Sequence, residues 1–176
     1  TTFKGAEGAV EIARSMFFQG AVDPEDEAKR EFVFLSILRS QPSLSWIGFG
    51  FPDGRFFGAH ATPTGQIEMV EIGAHVADGA RALRRDLYDP LPGDIFFRER
   101  IKAQSAYEAK GTPWYRAADT STGPVWTMVS LLPSGFEPAA VVSTAVEVFG
   151  QKRGVLMASI SFSSLSSFLS GLDLAN

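Results

Sequence analysis

Apolar residues in this chain first recur at three- and four-residue steps. Ala9, Ile12, Ala13, Met16 and Phe17 form one stripe between about Ala6 and Gln19, which predicts an amphipathic helix stopped at Gly20. Asp23-Pro24-Glu25-Asp26 reads as the start of a second helix, running to about Ser40. Asp23 caps it, Pro24 takes the first helical position, and the acids favour the positive end of the dipole. Its buried face is expected to be Ala28, Phe32, Leu35 and Leu38, and Phe34 and Ile37 widen that face enough for a second partner surface.

At Leu44 the period changes to two. Ile47, Phe49 and Phe51 alternate with Trp46, Gly48 and Gly50, and the turn Pro52-Asp53-Gly54 leads into a return strand from Arg55 to Ala61. Pro63-Thr64-Gly65 turns into a third strand, Gln66 to Ile72, so a meander is predicted. Residues 73–113 read as an insert of helix and loop, with helices at Ala80 to Leu87 and Ile95 to Tyr107 around the breaker Asp89-Pro90-Leu91-Pro92-Gly93. A short helix opens at Pro113. Strands follow at Val125 to Leu132, Ala140 to Phe149 and Val155 to Phe162, then a closing helix marked by Leu165, Phe168, Leu169 and Leu172. This order predicts an α+β domain on one central antiparallel sheet of five to six strands. Residues 1–43 form an N-terminal helical segment, and 44–176 complete the same folding unit.

Composition narrows the function. With 176 residues, 45% hydrophobic and 20% charged, the chain has the make-up of one globular domain. A net charge of −4 argues against nucleic acid, and the densest basic cluster, Arg81, Arg84 and Arg85, sits beside Asp78 and Asp86 as a solvated face would. The absence of cysteine excludes disulfides, thiolate catalysis and Cys-ligated metals. His60 and His75 lack metal-ligand spacing, and Gly48-x-Gly50-x-x-x-Gly54 has the wrong spacing for a phosphate loop. No nucleophile elbow, kinase or P-loop signature occurs. The expectation is therefore no catalytic residues, no metal, no cofactor and no enzyme activity. No apolar run approaches the roughly 18 residues of a membrane span. The chain begins Thr1-Thr2 without an initiator Met and is read as an excised piece, with any membrane contact made through flanking segments.

One group of aromatics stands out: Tyr107, Trp114, Tyr115 and Trp126. Such side chains suit a small-ligand pocket or a core, and burial tendency alone favours the core. Their order changes the balance. Tyr107-Glu108-Ala109-Lys110-Gly111-Thr112-Pro113-Trp114-Tyr115-Arg116-Ala117-Ala118 resembles the Tyr-x4-Arg-Pro-Trp-Tyr-x-x-Ala segment of Cache sensor domains, and Trp126-Thr127 follows where that family often has Trp-Thr or Trp-Ser. The segment from Gly154 to Phe162, with Leu165 and Phe168-Leu169, resembles the family's closing Gly-Val-Leu-x-x-Asp-Ile-Ser-Leu-x-x-Leu strand and helix. Trp46-Ile47-Gly48-Phe49 with Pro52 to Phe56 resembles its opening hairpin. The similarity runs in order from about Leu44 to Leu172.

The resemblance implies a PAS-like Cache fold, either the distal module of a double Cache or a single Cache. It implies an extracytoplasmic, periplasmic small-molecule sensor of a bacterial inner-membrane receptor, with a chemotaxis, histidine kinase or cyclase output domain. It also implies a pocket under the central insert and a homodimer through the N-terminal helices. The ligand-binding set it points to is Tyr107, Thr112, Trp114, Tyr115, Trp126 and Ser159, with Trp126 the member best suited to a purely structural role. Two positions depart from the amino-acid-sensing pattern: Thr112 stands where the family has a carboxylate-binding arginine, and Ser159 where it has an ammonium-binding aspartate. On that ground the expected ligand is something other than a free α-amino acid. The alternative is a degenerate Cache module acting in dimerisation or support without its own ligand.

Overall fold

The computed structural model describes residues 2–173, apart from the side chains of Ser130, Phe168, Leu172 and Asp173. The elements run α1 (Thr2–Phe18), α2 (Glu27–Ser40), β1 (Trp46–Gly50), β2 (Phe56–Ala61), β3 (Ile67–Ala77), β4 (Ala80–Leu91) and β5 (Asp94–Ser105). A single 3₁₀ turn (Ala109–Gly111) leads into α3 (Pro113–Asp119), followed by β6 (Val125–Leu132), β7 (Gly135–Val148), β8 (Gln151–Ser161) and α4 (Phe162–Asp173). All eight strands lie in one antiparallel sheet of order β5-β4-β3-β2-β1-β8-β7-β6. The expected α+β class and antiparallel sheet are present. The sheet has eight strands where five to six were expected: β5 and β6 are its edges, and the two added strands, β4 and β5, extend it beyond β3.

That extension corrects the reading of residues 73–107, where strands replace two expected helices. Asp78-Gly79 joins β3 to β4 and Pro92-Gly93 joins β4 to β5, with Gly79 at φ +69° and Gly93 at φ +80°. Along β4 the side chains alternate between charged partners on the neighbouring strands. Arg84 donates to Glu71 at 2.6 Å, Arg85 to Glu68 at 2.6 Å, and Arg100 to Asp86 at 2.7 Å. These cross-strand pairs outweigh the local helix propensity of Ala, Leu and Arg.

Helices α1 and α2 cover one face of the sheet, while α3 covers the other. In α1 the buried residues are Ala6, Ala9, Val10, Ala13 and Phe17, while Ile12 is 59% exposed. The second helix starts later than expected, with Asp26 rather than Asp23 as cap, its side chain accepting from Lys29 N. Its buried face is correspondingly rotated to Arg30, Val33, Phe34, Leu35 and Leu38, which leaves Ala28 exposed and Phe32 72% exposed. Arg30 is held inside by donating to the Pro24 carbonyl at 2.6 Å, pairing with Glu71 at 3.2 Å and lying 4.1 Å from the centre of the Phe57 ring.

Candidate functional site

The α3 face of the sheet is built around missing side chains. Glycines at 48, 50 and 58 leave room above β1 and β2, and aromatic rings fill it. A Cβ on Gly50 would lie 2.9 Å from the Trp114 ring and 3.1 Å from the Tyr115 ring. Pro113 and the cap Thr112 start α3. The Thr112 hydroxyl accepts from Tyr115 N at 3.3 Å and donates to the Ala109 carbonyl at 2.6 Å. Trp114, fully buried, donates its indole N–H to the Tyr107 hydroxyl at 3.1 Å, and Ser143 donates to the Trp114 carbonyl at 2.7 Å. Burial pushes the Tyr107 phenol well above its ordinary range. Tyr115 is pushed up to about 12, by burial first and then by the charges of Asp119 and Asp53. Both stay neutral hydroxyls.

The sequence-derived site is thereby divided. Tyr107, Thr112, Trp114 and Tyr115 stand together at one end of the α3 face, while Ser159 lies in the middle of the same face, its hydroxyl 2.7 Å from that of Ser45. Trp126 is on the opposite face, where its indole donates to Glu7 at 2.8 Å and its ring meets Phe3 edge-on at 5.0 Å. It stabilises the seat of α1.

A second group of residues had no local signature in the sequence. Glu68, His60, Trp46, Ser159, Val141 and Thr127 stand opposite one another across β3, β2, β1, β8, β7 and β6. Residues paired across neighbouring strands point to the same face, so this row crosses the α3 side of the sheet. Three of its members carry a buried polar atom with no hydrogen-bond partner among the described residues: Trp46 Nε1, His60 Nε2 and Thr127 Oγ1. Buried polar atoms are nearly always paired, so three in one row are unusual, and of the three residues His60 borders a cleft.

The row ends in a charged cluster. Glu68, 1% exposed, accepts from His60 Nδ1 at 2.9 Å, from Arg85 Nε at 3.0 Å and from Arg85 Nη2 at 2.6 Å. Burial alone would raise the Glu68 carboxyl; hydrogen bonds from His60 and Arg85, with the Arg85 charge, reverse that and hold it below its ordinary value. His60 stacks on Trp46 at 4.4 Å between centres, and its Nε2 faces Glu137 Oε2 at 3.6 Å. These groups border a cleft of about 600 Å³ between β2–β4 and the β6–β7 turn, whose far wall includes Phe136 and Ser161. Among the described residues no group of three or more His, Cys, Asp or Glu could hold a metal ion.

No family model matches this chain, and no curated protein does. Solved structures do. The ligand-binding domain of the Campylobacter jejuni chemoreceptor Tlp3 in complex with 4-methylisoleucine superposes with a TM-score of 0.57 at 15% identity, covering 92% of this chain and 50% of that one. The same domain with L-valine gives a TM-score of 0.56 at 15% identity, covering 92% and 52%. The ligand-binding domain of the Pseudomonas fluorescens chemoreceptor CtaA with L-alanine gives 0.51 at 19% identity, covering 89% and 50%. This chain has their fold, which is the Cache-type, PAS-like fold that the motif order implies, and it spans about half of their length.

Those ligands overturn the expectation that free α-amino acids are excluded. The exclusion rested on Thr112 and Ser159. The structure shows why these two positions do not decide it: Thr112 is occupied in capping α3 and Ser159 in pairing with Ser45. Their lack of charge describes the packing of α3 and β8.

Proposed function

We propose that this chain is the ligand-sensing domain of a bacterial transmembrane receptor, placed outside the cytoplasm, and that it takes a small polar molecule on the α3 side of its sheet. The row of unpaired buried atoms on Trp46, His60 and Thr127 carries this reading. Tyr107, Trp114 and Tyr115 form the apolar wall at one end, Ser159 lies between, and Thr112 acts through the cap of α3. The fold supports it, because domains of this fold are solved with free amino acids bound. Free α-amino acids are accordingly among the ligands to be tested first.

A homodimer through the N-terminal helices fits Ile12, Phe18 and Phe32, which are 59%, 56% and 72% exposed on α1 and α2. The output would be a chemotaxis, histidine kinase or cyclase domain, and the membrane spans would lie outside this chain, since no described helix is long and apolar enough to cross. A second reading, a dimerisation module without a ligand of its own, is favoured by the complete burial of Trp114.

A thermal-shift screen with amino acids, amines, organic acids and neutral metabolites separates the two. A ligand at a hundredfold excess over its Kd adds about 2.7 kcal/mol, worth roughly 5–11 °C in a domain of this size. Silence across the whole library refutes the sensing reading.

A further inference from the structure

We infer that the groove between the end of α1 and the β7–β8 turn is a second binding site, on the sheet face opposite α3, for a small molecule with an apolar body and a carboxylate received by Arg153. The site goes beyond the sensing reading, because it lies across the sheet from the α3 side and stands or falls by itself.

The groove encloses about 270 Å³. The buried Phe17, Val22 and Val146 line its inner part, and the exposed Phe18 and Phe149 its rim. A cavity of about 150 Å³ holds benzene, so this one has room for a ring or a short branched chain together with a polar group.

A bulge supplies the polar contact. Val146 stands opposite Gly154 and Glu147 opposite Lys152, so Arg153 is the extra residue of a bulge in β8, a feature that re-aims a side chain. Lys152 pairs with Asp119 of α3, while Arg153 stands at the groove beside Asp23. That second pair is loose: Arg153 Nη2 approaches Asp23 Oδ1 only to 3.5 Å, longer than a working hydrogen bond. The same Asp23 oxygen accepts from Glu25 N at 2.9 Å. The Arg153 guanidinium therefore makes no side-chain hydrogen bond among the described residues, and a planar fork of donors is open beside an apolar groove. A carboxylate is the group that matches such a fork. Asp23, with its side chain 63% exposed, can turn to water when the fork is taken.

The turn supplies the rim. Val148 pairs with Gln151, which leaves Phe149-Gly150 as a two-residue turn with φ +52° and +74°. Turns of this sign favour Asn, Asp or Gly at both positions, so a phenylalanine at the first carries backbone strain. Its side chain is fully exposed, and packing within the chain does not offset that strain. An apolar body held in the groove gives the ring a partner.

The test is an amide-detected magnetic-resonance titration of the wild-type chain with phenylacetate, hexanoate, phenylacetamide and phenethylamine. Both carboxylates are expected to saturate at about 1 mM or tighter, an affinity open to ligands of about eight to ten non-hydrogen atoms. Their shifts should centre on residues 17–22 and 146–154. Phenylacetamide should bind about 10- to 100-fold more weakly than phenylacetate, the scale of charge-assisted hydrogen bonds, and phenethylamine not at all. Arg153→Gln should bring phenylacetate down to the level of the amide while moving Tm by less than about 2 °C, since its ion pair is long and exposed. Lys152→Gln removes the same charge one residue away and should keep affinity within about threefold. Phe149→Asn should raise Tm, because Asn suits the left-handed position, and weaken both carboxylates. The assignment is overturned if neither carboxylate saturates below about 10 mM, or if the shifts centre on α3. It is equally overturned if the amide or the amine binds as tightly as phenylacetate, if Arg153→Gln or Phe149→Asn keeps full affinity, or if Phe149→Asn lowers Tm.

Discussion

Replacing Glu68 by Gln tests the charged cluster most directly. The carboxylate is 1% exposed and accepts three hydrogen bonds, one from His60 and two from Arg85. Gln keeps the shape but removes the charge, and turns one acceptor into a donor aimed at groups that donate. Breaking a buried pair from one side costs about 3–5 kcal/mol. Arg85 is 38% exposed and can turn to water, which places this case at the lower end, about 3 kcal/mol. At about 2–4 °C per kcal/mol for this chain length, Tm should fall by roughly 6–12 °C at neutral pH. The pH dependence follows from the sign of the Glu68 shift. A carboxyl whose folded pKa is depressed stabilises the fold fully above its ordinary value of 4.5, and that contribution is lost as pH falls through the lower folded value. The gap between wild type and variant should therefore be constant from pH 7 to about pH 5 and close on further acidification. Calorimetric melts across that range measure it. A drop of less than 2 °C at pH 7, or a gap that persists undiminished to pH 3, would refute the ionised, paired state of Glu68.

Three further substitutions probe the frame around the site. Tyr107→Phe leaves the buried Trp114 N–H without its acceptor and should cost about 1–3 kcal/mol, seen as a lower Tm and a changed near-ultraviolet dichroism of the indole. Thr112→Ala removes the cap of α3 at about 1 kcal/mol, or roughly 2–4 °C in Tm. Gly50→Ala places a methyl 2.9 Å from Trp114 and 3.1 Å from Ala109 and Tyr115. It should destabilise by about 1–3 kcal/mol through overpacking, with faster amide exchange in α3 than in β1.

Much of the frame is local, and for that reason the sequence shows it. The turn at Pro52-Asp53-Gly54, the alternation through Trp46 to Phe51, and the proline that opens α3 each depend on a few neighbouring residues. Strand β7 carries four valines and turns into β8 through Phe149-Gly150. Residues 80–105 read as helix because Ala, Leu, Arg and Glu favour it locally. What makes them strands is pairing with β3, set by the Asp78-Gly79 turn and by acid–arginine contacts 13 to 17 residues apart. The candidate site is less legible still. The aromatic motif locates α3, but Trp126 leaves it because β6 presents alternate residues to alternate faces. His60 and Glu137 lie 77 residues apart in the chain and meet only through the sheet. A lone histidine carries no spacing signal; only the hairpin of β2 and β3 sets it against Glu68.

The same pair of strands links the two faces of the molecule. On β3 and β4, Glu68 and Arg85 project to the cleft, while Glu71 and Arg84 project to α2, where Arg30 and Glu27 complete the contact at 3.2 and 3.5 Å. Successive residues of a strand point to opposite faces, so both ion-pair sets hang from neighbouring rungs of one ladder, Val70 opposite Arg85 and Glu71 opposite Arg84. A ligand acceptor that draws Arg85 away from Glu68 would act on a rung that also positions Arg84 against α2. Binding energy can shift α2 only by the difference in affinity between two arrangements of that ladder. Arg84→Ala gives the measurement: it removes the contacts to Glu71 and Glu27 without touching the cleft, so it should preserve ligand affinity within about threefold while abolishing ligand-dependent changes in amide exchange along α2. Retained exchange changes in α2 would show that the signal does not need Arg84 and reaches α2 through the Arg30–Glu71 pair or the packed apolar residues of β1 and β2.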